Sequence, residues 1–479
     1  THIIVSNETA VGEVWNATMT PNDGYVDGAT TWSNTLTIVS NNAPTHAAPI
    51  LNATSVSNLT TDNLTLYNQS TADVDGNAVK NIINWYKNGT ALAVLNMPFD
   101  INGSFTNSTN VRDYSGFENN GTLVLNATNR GAYHNLTGGF DGFGAYEFDG
   151  GDNIVVNDLD IEDNITISAW VRLGSKTGSG TNTIVSKRAG GSATSSYVLN
   201  YHASQDNFRF QLRNSTSNSN SDVGSSPNLE TWYHLVGTYD GSTQRLYING
   251  ILNQSHSHSG SINTNNVNLA IGVALNDANV PVARSRFNGT IDEVMIFNRS
   301  LSDEQVRAIY MNQTNVIVSQ ETSEGDVWNA TITPNDGLID GATTWSNSVT
   351  VNGTYVNCPG DTTNGDWVIS SGTTITSNVT CNTIVINNSA ILTVDNTVTN
   401  ISIAINTTNI TVALGSSINA SARGWMLSQG LGQGTDGGWR DGSGGAGHGG
   451  IGGKSESGAG AGSHFGNVLV PTLLGAGGG

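Results

Sequence analysis

Ile165-Thr-Ile-Ser-Ala-Trp-Val-Arg-Leu173 alternates strictly along its length. Ile165, Ile167, Ala169, Val171 and Leu173 take one parity, and Thr166, Ser168, Trp170 and Arg172 take the other. Successive side chains of a strand point to opposite faces, so a period of two predicts a half-buried β-strand. Trp232-Tyr-His-Leu-Val-Gly-Thr-Tyr-Asp-Gly241 reads as a second strand and Gln244-Arg-Leu-Tyr-Ile-Asn-Gly250 as a third. The turn residues between these two predict a hairpin.

Outward from this centre, 479 residues predict several domains rather than one. The net charge is −20, yet only 12% of residues are charged, so the acidity reflects scarce Lys and Arg. No basic stripe is present to neutralise phosphates, which excludes a nucleic-acid partner. No apolar run is long enough to span a membrane. No phosphate loop or nucleophile elbow is found. Thr1 is not an initiator and no signal peptide is visible, so the chain reads as a mature or partial product of something longer.

Two cysteines, Cys358 and Cys381, are close in sequence. A single disulfide in an oxidising compartment is expected; the plain alternative is two buried thiols. Asn-x-Ser/Thr sequons number 26, against about 13 expected by chance from this composition. They run the length of the chain, and include Asn16, Asn52, Asn58, Asn88, Asn120, Asn164, Asn288, Asn298, Asn329, Asn378, Asn400 and Asn419. N-linked glycans on an extracellular, cell-surface protein are expected.

Residues 3–38 and 316–351 form an internal repeat at constant offset. Gly12-Glu-Val-Trp-Asn-Ala-Thr-Met-Thr-Pro-Asn-Asp-Gly24 matches Gly325-Asp-Val-Trp-Asn-Ala-Thr-Ile-Thr-Pro-Asn-Asp-Gly337. Alternation puts Trp15, Ala17 and Met19 on one face, expected inward, and the Asn16 sequon on the other. Trp328, Ala330 and Ile332 repeat that face. These motifs resemble the last strands of Ig-like repeats in archaeal surface proteins. The first copy, in residues 1–40, then reads as the closing part of one Ig-like domain. A second Ig-like domain opens near Pro49, with Trp85 as its core tryptophan. It closes only with the second repeat copy. Residues 45–91 plus 316–352 are thus expected to form one sandwich split by an insertion, residues 92–315.

In the insertion, Asp113-Tyr-Ser-Gly-Phe-Glu-Asn-Asn-Gly-Thr122, Gly144-Ala-Tyr-Glu-Phe-Asp-Gly150, Ile167-Ser-Ala-Trp-Val171 and Gly289-Thr-Ile-Asp-Glu-Val-Met-Ile-Phe-Asn-Arg299 follow in order. Together they resemble the laminin-G-like jelly roll of concanavalin A type. Ser302-Asp-Glu-Gln305 is a capping box that predicts a short helix from Asp303 to Met311. After residue 352, short Thr/Val/Ile-rich segments recur closely: Asp366-Trp-Val-Ile-Ser, Thr374-Ile, Thr383-Ile-Val-Ile, Ile391-Leu-Thr-Val and Ile401-Ser-Ile-Ala-Ile. They predict a β-solenoid over 353–479, with a glycine-rich region from Gly430 onward. The fold class is all-β.

The jelly-roll resemblance implies a structural Ca²⁺ held by Asp113, Asn119, Asn120, Asp149, Asp152 and Asp292. Hard cations take several oxygen ligands; the plain alternative is Asp and Asn closing their own turns. Asp158-Leu-Asp-Ile-Glu162 resembles the alternating carboxylates of glucanases of this architecture. Its leading position is Asp rather than Glu and no aromatic cleft residues accompany it, so no catalytic residue is assigned and no enzyme is expected. The expected function is a structural subunit of a glycosylated archaeal surface assembly, self-associating into a filament, appendage or surface layer. The alternative is an adhesin whose jelly roll binds surface glycans, other cells or a partner protein.

Overall fold

The computed structural model describes residues 3–4, 8–101, 110–124, 133–176, 180–188, 195–213, 218–222, 226–353, 358–359, 365–377, 379–395 and 405–419. Asn378, Asn400, the glycine-rich region and residues 401–404 of an expected strand lie outside these. The regular structure of the described residues is almost all strand, with one α-helix, Asp303–Tyr310. It divides into two compact units, residues 1–351 and 352–479.

Two eight-stranded sheets dominate the first unit. One runs in the order Asn110–Val111, Gly121–Val124, Asn153–Val156, Leu269–Ile271, Thr181–Lys187, Tyr197–His202, Asn207–Arg213, Asn218–Asp222. The other runs Tyr133–Asn135, Ala145–Asp149, Asn288–Phe297, Ile165–Leu173, Trp232–Tyr239, Thr243–Ile248, Ile251–Ser257. Ala93–Met97 adds to it along Asn288–Phe297. Hairpin-linked neighbours alternate with neighbours distant in sequence, because the chain also crosses between the sheets. The result is a jelly roll.

Its core lies between the sheets. Ile165, Ile167, Ala169, Val171 and Leu173 face Ile184, Leu199, Phe208, Phe210 and Leu269 across it. Each such side chain, once buried, contributes roughly 1.5–3 kcal/mol. Gly237 has no side chain for a packing reason: a Cβ there would lie 2.4 Å from the Phe210 ring. The predicted hairpin pairs Trp232–Tyr239 with Thr243–Ile248. Its turn is closed by Asp240, whose Oδ1 accepts from Ser242 N and Thr243 N.

Ile165–Leu173 is not half-buried. Thr166, Ser168 and Trp170 on its second parity are buried as well. Trp170 stacks on Phe140 at 3.7 Å between ring centroids, and Tyr310 of the helix lies 5.7 Å away. The outer face of this sheet is covered because it supports a second module.

That module has two sheets. One contains Ile50–Ala53, Leu64–Tyr67 and Val316–Ile317. The other pairs Lys80–Lys87 antiparallel with Val327–Asn335 over eight residues, and adds Thr90–Ala91, Thr344–Trp345 and Val349–Thr350. Leu51, Leu64, Trp85, Trp328 and Ile332 share one continuous core with Val236, Tyr247 and Phe297 of the jelly roll. Val306 and Ile309 of the helix complete it. Strands from both ends of the first unit therefore meet on the jelly roll's outer face.

The helix ends one residue earlier than expected, with Met311 as its C-cap. Ser302 Oγ accepts from Gln305 N, but the reciprocal half of the capping box is absent. The Gln305 side chain bonds Val316 and Val318 instead, and Glu321 Oε1 takes Ser302 N. Tertiary contacts have claimed the side chain that a local rule assigned.

The repeat copies differ in burial. Trp328, Ala330 and Ile332 are fully buried, whereas Met19 is 69% exposed, Ala17 is exposed and Trp15 is half-buried. The inward face expected for the first copy is uncovered, because among the described residues no strand pairs along its free edge.

In the second unit, Asp366–Ile369, Val379–Ile386 and Ile405–Val412 form a parallel sheet in register. Thr373–Ile375, Ile391–Val394 and Ser417–Asn419 form another. Trp367, Ile369, Ile384, Ile386 and Leu392 pack between them. Cys358 and Cys381 are disulfide-bonded within this core, with Cα atoms 5.3 Å apart.

Candidate binding site

Lys80 opens the strand that joins the two-sheet module to the jelly roll. Its Nζ lies 3.0 Å from Asp100 Oδ1 and 2.7 Å from Asp141 Oδ2, and also contacts Glu293 Oε1. Asp141 comes from the turn after Gly139, and Glu293 from Asn288–Phe297. The Lys80 ammonium also lies over the Phe143 ring, 5.7 Å from its centroid. Four buried or half-buried acids, Asp100, Asp141, Asp292 and Glu293, surround one cation.

The electrostatics follow from burial. Desolvation raises the pKa of Asp100, and neighbouring Glu293 and Asp141 raise it further against the pull of Lys80. Desolvation likewise raises Asp292 and Glu293. Burial opposes the charge on Lys80, but Glu293, Asp100, Asp141 and Asp292 together hold its pKa well above the usual lysine range. Asp100 Oδ2 has no hydrogen-bond partner among the described residues.

Lys80 and Asp141 of this cluster line a cleft of 390 Å³ between the two modules. Tyr67, Phe143, Lys80 and Asp141 line it together with the amides of Asn68 and Asn315. Asn81 and Asn312 complete the polar wall. Tyr67 is 50% exposed. The cleft narrows inward to a 70 Å³ cavity that shares Lys80, Asn81, Ile83, Asn312 and Thr314. Module junctions commonly make such sites, because neither module alone encloses the space.

The six residues expected to hold calcium do not converge. Asp113 accepts from Asn96 N, Ser115 N, Ser115 Oγ and Asn119 N. Asn120 Oδ1 accepts from Asp113 N, and Asn119 Nδ2 donates to Val94 O. That loop spends its oxygens on itself, which is turn chemistry. Asp149 accepts from Gly151 N in another loop, where Asp152 is buried. Asp292 accepts from Phe140 N and Glu293 N. Among the described residues, Asp100, Asp141 and Glu293 are the acids grouped closely enough to share an ion, and the Lys80 ammonium already lies among them. The six are therefore spread over separate loops rather than gathered into one ligand set. Asp113→Ala is expected to cost about 1–3 kcal/mol by stranding several donors. Denaturant unfolding should give the same loss with and without a chelator; a chelator-dependent loss would restore the metal.

Asp158 and Asp160 are held elsewhere, by the fully buried Lys187, whose Nζ lies 2.8 Å from Asp160 Oδ1. Lys187 also donates to Asn265 O and Val267 O, so it closes one end of the jelly roll. Glu162 is exposed. The ten sequon asparagines named above that are described are exposed or half-buried, never buried. Three amides already have partners: Asn88 Oδ1 accepts from Val327 N, Asn120 Oδ1 from Asp113 N, and Asn288 Nδ2 donates to Asp149 O.

Sequence reasoning missed Lys80, Asp100, Asp141 and Glu293 as a group. They are far apart in the chain, and two sit within strands whose alternation looked ordinary. The one local signal was charge adjacent to apolar strand residues in a chain with few charges.

Residues 148–307 match the family described as the concanavalin A-like lectin/glucanases superfamily. No curated protein matches the chain. One similar solved structure is domain 4 of AbnA, a GH43 extracellular arabinanase from Geobacillus stearothermophilus, in complex with arabinotriose. It is 21% identical over 46% of this chain and 98% of that one, with a TM-score of 0.36. Another is the receptor binding domain of botulinum neurotoxin C/D mosaic serotype, 17% identical over 46% of this chain and 51% of that one, TM-score 0.34. The binding domain of Paraclostridial Mosquitocidal Protein 1 is 16% identical over 47% of this chain and 52% of that one, TM-score 0.34. This chain spans about half of the last two. Likeness at this level carries no inference about ligands. Among the described residues, no helix is long and apolar enough to cross a membrane.

Proposed function

We propose that the first unit is an extracellular binding module for an oligosaccharide, seated in the cleft between the jelly roll and the two-sheet module. The observation that carries this reading is the residue content of the cleft wall: the aromatic residues Tyr67 and Phe143, the asparagines Asn68, Asn81, Asn312 and Asn315, and the ion pair of Lys80 and Asp141. Aromatic rings cover the C–H face of a sugar, while amides and carboxylates bond its hydroxyls. A disulfide and a sequon-rich surface favour an oxidising, extracellular setting. No catalytic role is proposed, since Asp158 and Asp160 are bound to Lys187.

Asn68-Gln-Ser70 and Asn312-Gln-Thr314 are sequons on the cleft wall. The test therefore uses full-length protein from a host that adds no N-glycans, screened on a glycan array and then titrated with the strongest binder. Asp141→Ala and Tyr67→Ala should each weaken binding by about tenfold or more, equivalent to about 1.4 kcal/mol. Silence across the array, or binding untouched by both changes, would remove the reading.

A second reading is a subunit of a polymeric surface assembly of the archaeal kind, favoured by the in-register parallel ladders of the second unit. In that reading 353–479 is a β-solenoid, and 45–91 plus 316–352 is an Ig-like sandwich carrying the jelly roll as an insertion. Electron micrographs of native material without any polymer would end it.

A further inference from the structure

The two repeat copies form the same hairpin ladder and share its turn and side-chain bonds. Val14–Trp15 pairs with Leu36–Thr37 as Val327–Trp328 pairs with Val349–Thr350. Thr18–Met19 pairs with Thr31–Trp32 as Thr331–Ile332 pairs with Thr344–Trp345. Ala17 N donates to Ser33 Oγ at 2.9 Å, and Ala330 N to Ser346 Oγ at 3.0 Å. The Thr20–Thr30 and Thr333–Thr343 hydroxyl pairs are both at 2.7 Å. Asn22 Nδ2 bonds Asp27 at 2.7 Å, and Asn335 Nδ2 bonds Asp340 at 2.6 Å. Gly28 N and Gly341 N donate to Pro21 O and Pro334 O.

What differs is the free edge. In the second copy it is taken by Lys80–Lys87, with Lys87 opposite Trp328, Trp85 opposite Ala330 and Ile83 opposite Ile332. Trp85 and Trp328 meet edge to face at 6.4 Å, and the Lys87 ammonium lies over the Trp328 ring at 5.5 Å. In the first copy the same edge is unpaired among the described residues. Met19 and Leu36 are 69% and 62% exposed, while their counterparts Ile332 and Val349 are 0% and 6% exposed. An unpaired edge with an apolar face is a template for another strand.

We infer that the first hairpin is a strand acceptor. Its occupant is an extended segment from outside residues 8–40 that adds antiparallel along Val14–Met19. Its chemistry is fixed by the second copy: a cation opposite Trp15, an aromatic ring opposite Ala17 and a branched aliphatic residue opposite Met19. No strand of the described chain is free for this role, since Lys80–Lys87 is held by its own partner. Pairing supplies main-chain hydrogen bonds, and the alternate side chains supply register.

The probe is a labelled synthetic peptide with the sequence of residues 78–90, titrated into the full chain. Saturable binding at one peptide per chain is expected. Met19→Asp in the protein, and Trp85→Ser in the peptide, should each weaken it by at least about tenfold. Met19 is exposed, so the variant should keep its circular dichroism and unfolding midpoint. No saturation at roughly 1 mM peptide, or binding indifferent to Met19→Asp, would overturn the assignment. So would a dimer seen by light scattering that Met19→Asp abolishes, because a second hairpin would then be the occupant.

Discussion

Lys80→Met is expected to destabilise the first unit by about 3–5 kcal/mol at neutral to mildly alkaline pH, because it strands buried acids without their cation. Asp100, Asp141 and Glu293 all contact the Lys80 ammonium, and no other lysine or arginine pairs with them among the described residues. The loss should depend on pH, and its sign follows from proton linkage. Burial raises the pKa of Asp100, Asp292 and Glu293 in the folded chain. The folded state then binds protons that the unfolded state has released, so this part of the stability is present at low pH and lost as pH rises above the ordinary carboxylate range. Lys80 has a raised pKa, so its own contribution persists until pH climbs past the ordinary lysine range. Without the ammonium the acids rise further. The deficit should be smaller near about pH 4, where Asp100, Asp292 and Glu293 hold their protons, than near about pH 8. Urea unfolding of both proteins at the two pH values measures it; a deficit independent of pH would show that Lys80 acts through packing alone.

Trp328→Ala and Trp15→Ala change the same residue of the same hairpin, and their effects should differ by most of the energy of a buried indole. Trp328 is fully buried, edge-on to Trp85 and under the Lys87 ammonium. Removing it should cost about 3–5 kcal/mol, the usual range for emptying a large aromatic site. Trp15 pairs with Leu36 on one side but has no strand on its free edge among the described residues, and its loss should stay within about 0.5 kcal/mol. Denaturant midpoints of the two variants give the comparison directly. Equal losses would mean that the first hairpin is covered in the full chain, and the acceptor assignment would fall with the contrast.

Much of the architecture was legible before any coordinates. The alternation in Ile165–Leu173 and the Asp240-Gly241 turn announced strands and a hairpin, because side-chain parity and positive-φ glycine are local properties. The ordered motifs from Asp113 to Arg299 announced the jelly roll, and the repeat at Gly12 and Gly325 announced matching strands. The residues expected to hold calcium are spread over separate loops, and the expectation rested on an equally local signal. Asp113, Asn119 and Asn120 carry the oxygens a cation needs, but a turn needs the same oxygens, and composition does not distinguish the two uses. The cleft was illegible, since Tyr67, Lys80, Asp141 and Asn315 meet only once the two-sheet module has closed on the jelly roll.

The amino-acid order by itself determined which residues are strands, which side chains share a face and where the chain turns, since those follow from backbone geometry over a few neighbours. Tertiary structure alone decided which faces are covered. The second parity of Ile165–Leu173 and the face of Trp328 are buried, and the identical face of Trp15 is not, because burial depends on what arrives from hundreds of residues away.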